Sequence, residues 1–147
     1  MLNNDYKEML FALSEEKVKF ILVGAYAMAV HGYPRATMDI DLWVVTSAEN
    51  IKAVINALAR FGAPMENISP GDFNDDNFIF QIGVAPRRID ILTSVDGLNF
   101  ESAYKNAGVV QIDDIPVKVL SKEDLIINKR ASGRTKDLAD IEMLENE

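Results

Sequence analysis

Thr37-Met38-Asp39-Ile40-Asp41-Leu42-Trp43-Val44-Val45 is the stretch whose reading decides the fold. Its β-branched and aromatic residues predict a strand over 37–45. Residues two apart on a strand share a face. Asp39 and Asp41 therefore project together, while Met38, Ile40, Leu42 and Val44 point to the core. Aspartate is disfavoured in strands, and two on one face repel unless a positive charge lies between them. A divalent cation meets that need, and hard carboxylate oxygens suit Mg²⁺ or Mn²⁺ better than Zn²⁺. The competing reading is a solvated strand end with no function. Arg88-Ile-Asp-Ile-Leu92 repeats the pattern, with Asp90 interrupting a second apolar strand. A third carboxylate from a neighbouring strand would complete a two-ion site. A salt bridge from Asp90 to Arg88 or Arg35 is the competing reading.

Working outward, a first helix is expected from about Asn4 to Glu16, burying Tyr6, Met9, Leu10 and Leu13. A buried strand follows from Val18 to Val23, and Gly24 ends it. A short helix spans Ala25 to His31, closed by Gly32 and Pro34. After the Asp strand, Thr46 with Glu49 reads as a capping box. The helix behind it buries Ile51, Val54, Ile55 and Leu58, and Gly62-Ala63-Pro64 stops it. Residues Met65 to Asn77 are polar and turn-rich, the pattern of a loop. Phe78 to Ile82 and Arg87 to Thr93 read as strands joined by a turn at Gly83 to Pro86. A short helix is expected near Phe100 to Lys105. Val109 to Ile112 and Pro116 to Leu120 form a hairpin turning at Asp113-Asp114. Ser121 with Asp124 caps a helix to about Arg130, Ser132-Gly133-Arg134 breaks it, and Thr135 starts a last helix with Leu138, Ile141 and Leu144 inward. These elements predict an α/β (α+β) domain over 1–147, with a central mixed β-sheet flanked by helices and further helices at the C-terminus.

Composition narrows the function classes. The 147 residues are 48% apolar, enough for one core. Absence of cysteine removes disulfides, thiolate catalysis and cysteine zinc sites. The start MLNNDYKEML lacks a basic segment followed by an apolar run. The longest apolar run, Phe20 to Val30, falls short of the ~20 residues that span a bilayer. The expectation is a cytoplasmic protein with no membrane association. A net charge of -8 opposes a broad nucleic-acid surface, since each phosphate contact needs a cation. It leaves room for the end of one RNA strand or for a free nucleotide.

Val23-Gly24-Ala25 joins strand to helix just before the Asp pair. Glycine there permits close backbone approach, and amides at a helix start can hold phosphate oxygens. Taken together, Leu22-Val23-Gly24-Ala25, Asp39-Ile40-Asp41 and Asp90 resemble the signature of the nucleotidyltransferase (DNA polymerase β-like) superfamily. Ala25 departs from that family's usual Gly or Ser, which removes a side-chain hydroxyl but spares backbone contacts. The runs Gly24 to Asp41, Leu125 to Lys129 and Arg134 to Ile141 are similar to bacterial abortive-infection (AbiEii-like) nucleotidyltransferases, over roughly residues 18 to 144.

The resemblance implies the nucleotidyltransferase fold and transfer of a nucleoside monophosphate from an NTP to a hydroxyl. It implies two ions, Mg²⁺ or Mn²⁺, both held by Asp39 and Asp41, with Asp90 holding the one beside the nucleophile. The acceptor would be an RNA end, a protein or a small molecule. The same resemblance admits a toxin–antitoxin component that mainly binds a partner protein, or a nucleotide-binding module with weak or lost catalysis. Gly24, Ala25, Arg35, Lys129 and Arg134 are the candidate nucleotide-binding residues. Lys129 and Arg134 belong to a basic stretch in an acidic chain, where a solvated helix end is the competing reading. His31 suits a helix C-cap as well as catalysis. Asp137 and Asp140 would orient Lys129 or Arg134, or favour a helix start. Trp43 shares the Asp face and would border a nucleotide or simply pack.

Overall fold

The computed structural model describes residues 3–34, 38–85 and 87–146. Arg35, a candidate phosphate ligand, and Thr37, the expected strand start, lie outside the described residues. The chain order is α1 (Asn4–Glu15), β1 (Phe20–Val23), α2 (Gly24–Val30), β2 (Ile40–Val44) and α3 (Ala48–Phe61), then β3 (Ile79–Ile82), β4 (Ile89–Leu92) and α4 (Phe100–Asn106). The hairpin β5 (Gly108–Ile112) and β6 (Ile115–Val119) follows, and the helices α5 (Lys122–Ser132) and α6 (Thr135–Glu145) close the chain.

The strands form one mixed sheet in the order β3-β4-β2-β1-β6-β5. β1 runs antiparallel to β2 and parallel to β6, while β2 and β4 are parallel. The expected α/β architecture with a mixed central sheet and C-terminal helices is therefore present. Ile40, Leu42 and Val44 are fully buried, as strand alternation requires. Tyr6, Met9, Leu10 and Leu13 of α1 join the same core. The β5–β6 turn uses Asp113 and Asp114, both with positive φ (49° and 67°). Two left-handed residues in a two-residue loop match the twist of the flanking strands.

Four local expectations are corrected. Ser47, not Thr46, is the N-cap of α3, its Oγ accepting from the Asn50 amide at 3.3 Å. The stretch read as a loop holds two 3-10 turns, Met65–Asn67 and Pro70–Asn74. Ile55 is only partly buried, at the border of the α3 face. In α6 the inward face is Asp137, Asp140, Ile141 and Leu144, and Leu138 is 59% exposed. That face still obeys the i, i+3, i+4, i+7 rule. It is rotated by one residue because cations from α5 and its C-terminal turn neutralise the two carboxylates.

Candidate active site

The register of the sheet assembles the carboxylates. Asp41 on β2 lies directly beside Asp90 on β4. Asp39 precedes β2 by one residue and faces the same way. Asp39 Oδ1 accepts the Arg88 backbone amide at 2.9 Å, which ties the entrances of β2 and β4 together. Tyr6 fixes the same place from below. Its hydroxyl donates to Met38 O at 2.8 Å and lies 3.3 Å from Arg88 O. Burial, with Tyr26 and Asp39 nearby, pushes that phenol up to about 12.

Arg88 neutralises the cluster. Its Nε and Nη2 donate to the two oxygens of Asp90 at 2.6 and 3.0 Å, and Nη2 lies 3.3 Å from Asp39 Oδ2. The pairing holds the guanidinium pKa above its ordinary value. The ion-pair reading of Asp90 is thus the arrangement observed, and Arg88 serves as a built-in counter-cation for two of the three carboxylates. Among the described residues, no cation forms an ion pair with Asp41. Burial, then the adjacent Asp90 and Asp39, push its carboxyl up to about 7. Burial and negative neighbours both disfavour its ionised form.

Gly24 sits against Asp41. At φ +69° an added Cβ would overlap Asp41 Oδ2 and lie 3.1 Å from its Cγ. The strand-to-helix turn therefore needs glycine for two independent reasons, backbone conformation and room for the carboxylate.

These groups open into a cleft of about 760 Å³. The sheet supplies Asp39, Asp41 and Asp90, the glycine turn supplies Gly24 and Ala25, and the last two helices with their connecting turn supply Lys129, Arg134, Lys136 and Asp140. The structure thus brings together Gly24, Ala25, Asp39, Asp41, Asp90, Lys129 and Arg134. Lys129 does not stand in open solvent. Its side chain is 12% exposed, with Nζ 2.9 Å from Asp140 Oδ2 and 3.6 Å from Asp137 Oδ1. Asp137, fully buried, also accepts from Arg134 Nε at 2.8 Å. Burial pulls the Asp137 pKa upward, but the Arg134 hydrogen bond and both cations outweigh it and hold it low. The orienting role weighed for Asp137 and Asp140 matches this geometry.

Two other candidates are structural. His31 Nε2 pairs with Leu120 O at 2.8 Å and fastens the end of α2 to the end of β6. Trp43 is buried edge-on against Phe100, with centroids 5.1 Å apart, and so packs rather than borders the cleft. The residue given too small a role by sequence reasoning is Arg88. Its position two before Asp90 put both on one strand face, and that was the available signal.

Among the described residues, no three carboxylate or imidazole groups close into a ready-made metal cage. The Asp39 and Asp90 side chains are posed on a guanidinium. The donor set nonetheless suits a hard cation. It is all oxygen and carries excess negative charge, and it already draws one internal cation.

No curated protein matches the chain by sequence. Its structure resembles the crystal structure of a Thermotoga maritima protein assigned as a nucleotidyltransferase. The TM-score is 0.59 over 99% of this chain and 94% of that one, at 16% identity, a likeness of fold. The family model described as "Nucleotidyltransferase of unknown function (DUF6036)" matches residues 1–145. By this match over nearly the whole chain, the protein belongs to that nucleotidyltransferase family.

Proposed function

We propose that the protein transfers a nucleoside monophosphate from an NTP to a hydroxyl acceptor with the help of divalent metal. The observation that supports this best is the cleft itself. Three carboxylates on adjoining strands face cations from the last two helices across a space large enough for a nucleotide. Asp39, Asp41 and Asp90 would hold Mg²⁺ or Mn²⁺. Such ions polarise the phosphoryl group and stabilise the attacking and leaving oxygens.

The chain's own residues supply the rest. Lys129, fixed by Asp137 and Asp140, presents a point charge towards phosphate, and Arg134 presents a planar fork. Burial and its carboxylate neighbours push the Asp41 pKa up to about 7, and a bound cation would favour its ionised form. Arg88 must loosen its hold on Asp90 for that carboxylate to face a metal. The Gly24 turn, with no side chain of its own, lets the Asp41 carboxylate lie against it.

Transfer of label from each α-labelled NTP, with and without cell lysate, tests the reading. Asp90→Asn should still bind Mg-NTP while transfer falls by orders of magnitude. Untouched transfer in Asp90→Asn would make Asp90 only a structural partner of Arg88. NTP binding with no labelled acceptor in any lysate fraction would turn the assignment towards a partner-binding protein of the toxin–antitoxin kind.

A further inference from the structure

On the carboxylate face the sheet carries two successive rungs. The first sets Asp41, Asp90 and Gln81 side by side across β2, β4 and β3. The second, two residues further along β2 and β4, sets Trp43, Leu92 and Ile79 in the same order. Two residues of strand separate the rungs by roughly 6–7 Å. The second rung is apolar throughout and unevenly covered. Phe100 closes over Trp43, Leu92 is half-buried, and Ile79 is 50% exposed. β3 is an edge of the sheet, where a polar or charged side chain would ordinarily protect against unwanted pairing. Leu92 and Ile79 instead line the same cleft as the carboxylates, with Val95 beside them. At the rim stand Asn77 and Ser94, the Ser94 hydroxyl 3.5 Å from Asn77 Oδ1.

We propose that Ile79, Leu92 and Val95 form the nucleobase subsite of this cleft, with Asn77 and Ser94 reading the edge of the base. The proposal rests on the nucleotidyl-transfer reading above. Lys129, Arg134 and Lys136 line the same cleft, whereas these five residues include no cation and so offer no charge to a phosphate. A flat apolar body with a polar edge suits them well. An exposed amide offers both a donor and an acceptor to such an edge, and a hydroxyl offers the same. The spacing agrees, because one rung is about the reach from the α-phosphate of a nucleotide to its base. Stacking on aliphatic side chains is tolerant of base identity, so discrimination falls to Asn77.

The experiment is calorimetric titration of the full-length protein in Mg²⁺ with each of four NTPs and with inorganic tripolyphosphate. The wild type should bind its preferred NTP at least about tenfold more tightly than tripolyphosphate, a difference of about 1.4 kcal/mol. Ile79→Asp should erase that difference while leaving tripolyphosphate affinity unchanged, which also shows that the variant is folded. Asn77→Ala should change the order of preference among the four NTPs. If Ile79→Asp and Asn77→Ala bind NTPs as the wild type does, the subsite is wrong and the nucleotide cleft stands. If Ile79→Asp keeps NTP affinity but loses transfer, the rung belongs to the acceptor and the nucleobase assignment falls. If the wild type binds neither NTP nor tripolyphosphate, both the subsite and the nucleotidyl-transfer reading fall.

Discussion

Gly24→Ala isolates the contact on which the site geometry depends. The substitution adds one methyl group where the backbone has φ +69° and where the Asp41 carboxylate already stands. The first effect is conformational. An L-residue in the left-handed region costs about 1–2 kcal/mol. The second is steric. The new Cβ overlaps Asp41 Oδ2 and approaches its Cγ to 3.1 Å and its Cβ to 3.3 Å, so the side chain must turn away. Overpacking of this kind costs about 1–3 kcal/mol. The sum is about 3 kcal/mol, or a Tm lower by about 10 °C for a domain of this length. Asp41→Ala supplies the control, because it leaves the backbone cost and removes the steric one. Urea denaturation of the four proteins in the double-mutant cycle should therefore give a coupling of about 1–3 kcal/mol. The parent Asp41→Ala should itself gain stability at neutral pH, since it removes a partly buried and crowded carboxylate, and the cycle subtracts that gain. Equal costs of Gly24→Ala in both backgrounds would show that the carboxylate does not lie over Gly24. A neutral Gly24→Ala would refute the left-handed turn as well.

Arg88→Met should destabilise the metal-free protein, because buried Asp90 loses its ion-pair partner. Mg²⁺ or Mn²⁺ should then raise the Tm of the variant more than that of the wild type, and an equal rise in both would refute the exchange of guanidinium for metal. Asp41 gives a pH signature. Its folded pKa of about 7 lies above the ordinary 3.8, so its contribution to stability is complete below about pH 4 and is lost as pH rises to about 7. Denaturation curves of wild type and Asp41→Asn should diverge across that window, and parallel curves would contradict the raised pKa. Lys129→Ala should cost about 3 kcal/mol even without nucleotide, since Asp140 and Asp137 lose a nearly buried cation. Thermal unfolding unchanged from wild type would return Lys129 to a solvated helix end.

The carboxylates were legible because a strand has a period of two. Asp39-Ile-Asp41 and Arg88-Ile-Asp90 each state, without any tertiary knowledge, which residues share a face. Register across the sheet was not legible in this way. That Asp41 meets Asp90 follows from the parallel pairing of β2 with β4, which neither strand specifies alone. The charge partner of Asp90 was open for the same reason. Arg88 was named, but its bridge to Asp39 depends on how closely the two strand entrances approach, and a backbone hydrogen bond and the Tyr6 hydroxyl decide that.

The last helix shows the limit most clearly. Hydrophobic spacing assigned Leu138 inward together with Ile141 and Leu144, and it chose the wrong first turn. The rule assumes that a buried position is apolar. Here Asp137 and Asp140 occupy the inward face because Lys129 and Arg134 meet them there, from the helix before and from the turn between. No local pattern encodes that exchange, since each charge is tolerable inside only when the other is present. A helix pair joined by buried charges is also a costly way to build a core, because apolar residues of similar volume would often serve as well or better. What the charges add is position. Lys129 is held at two points on one wall of the cleft, opposite a sheet whose own carboxylates need cations. The departure of α6 from simple amphipathicity and the excess of negative charge on β2 and β4 are therefore two sides of one arrangement. Each places a charge at the cleft that folding alone does not require.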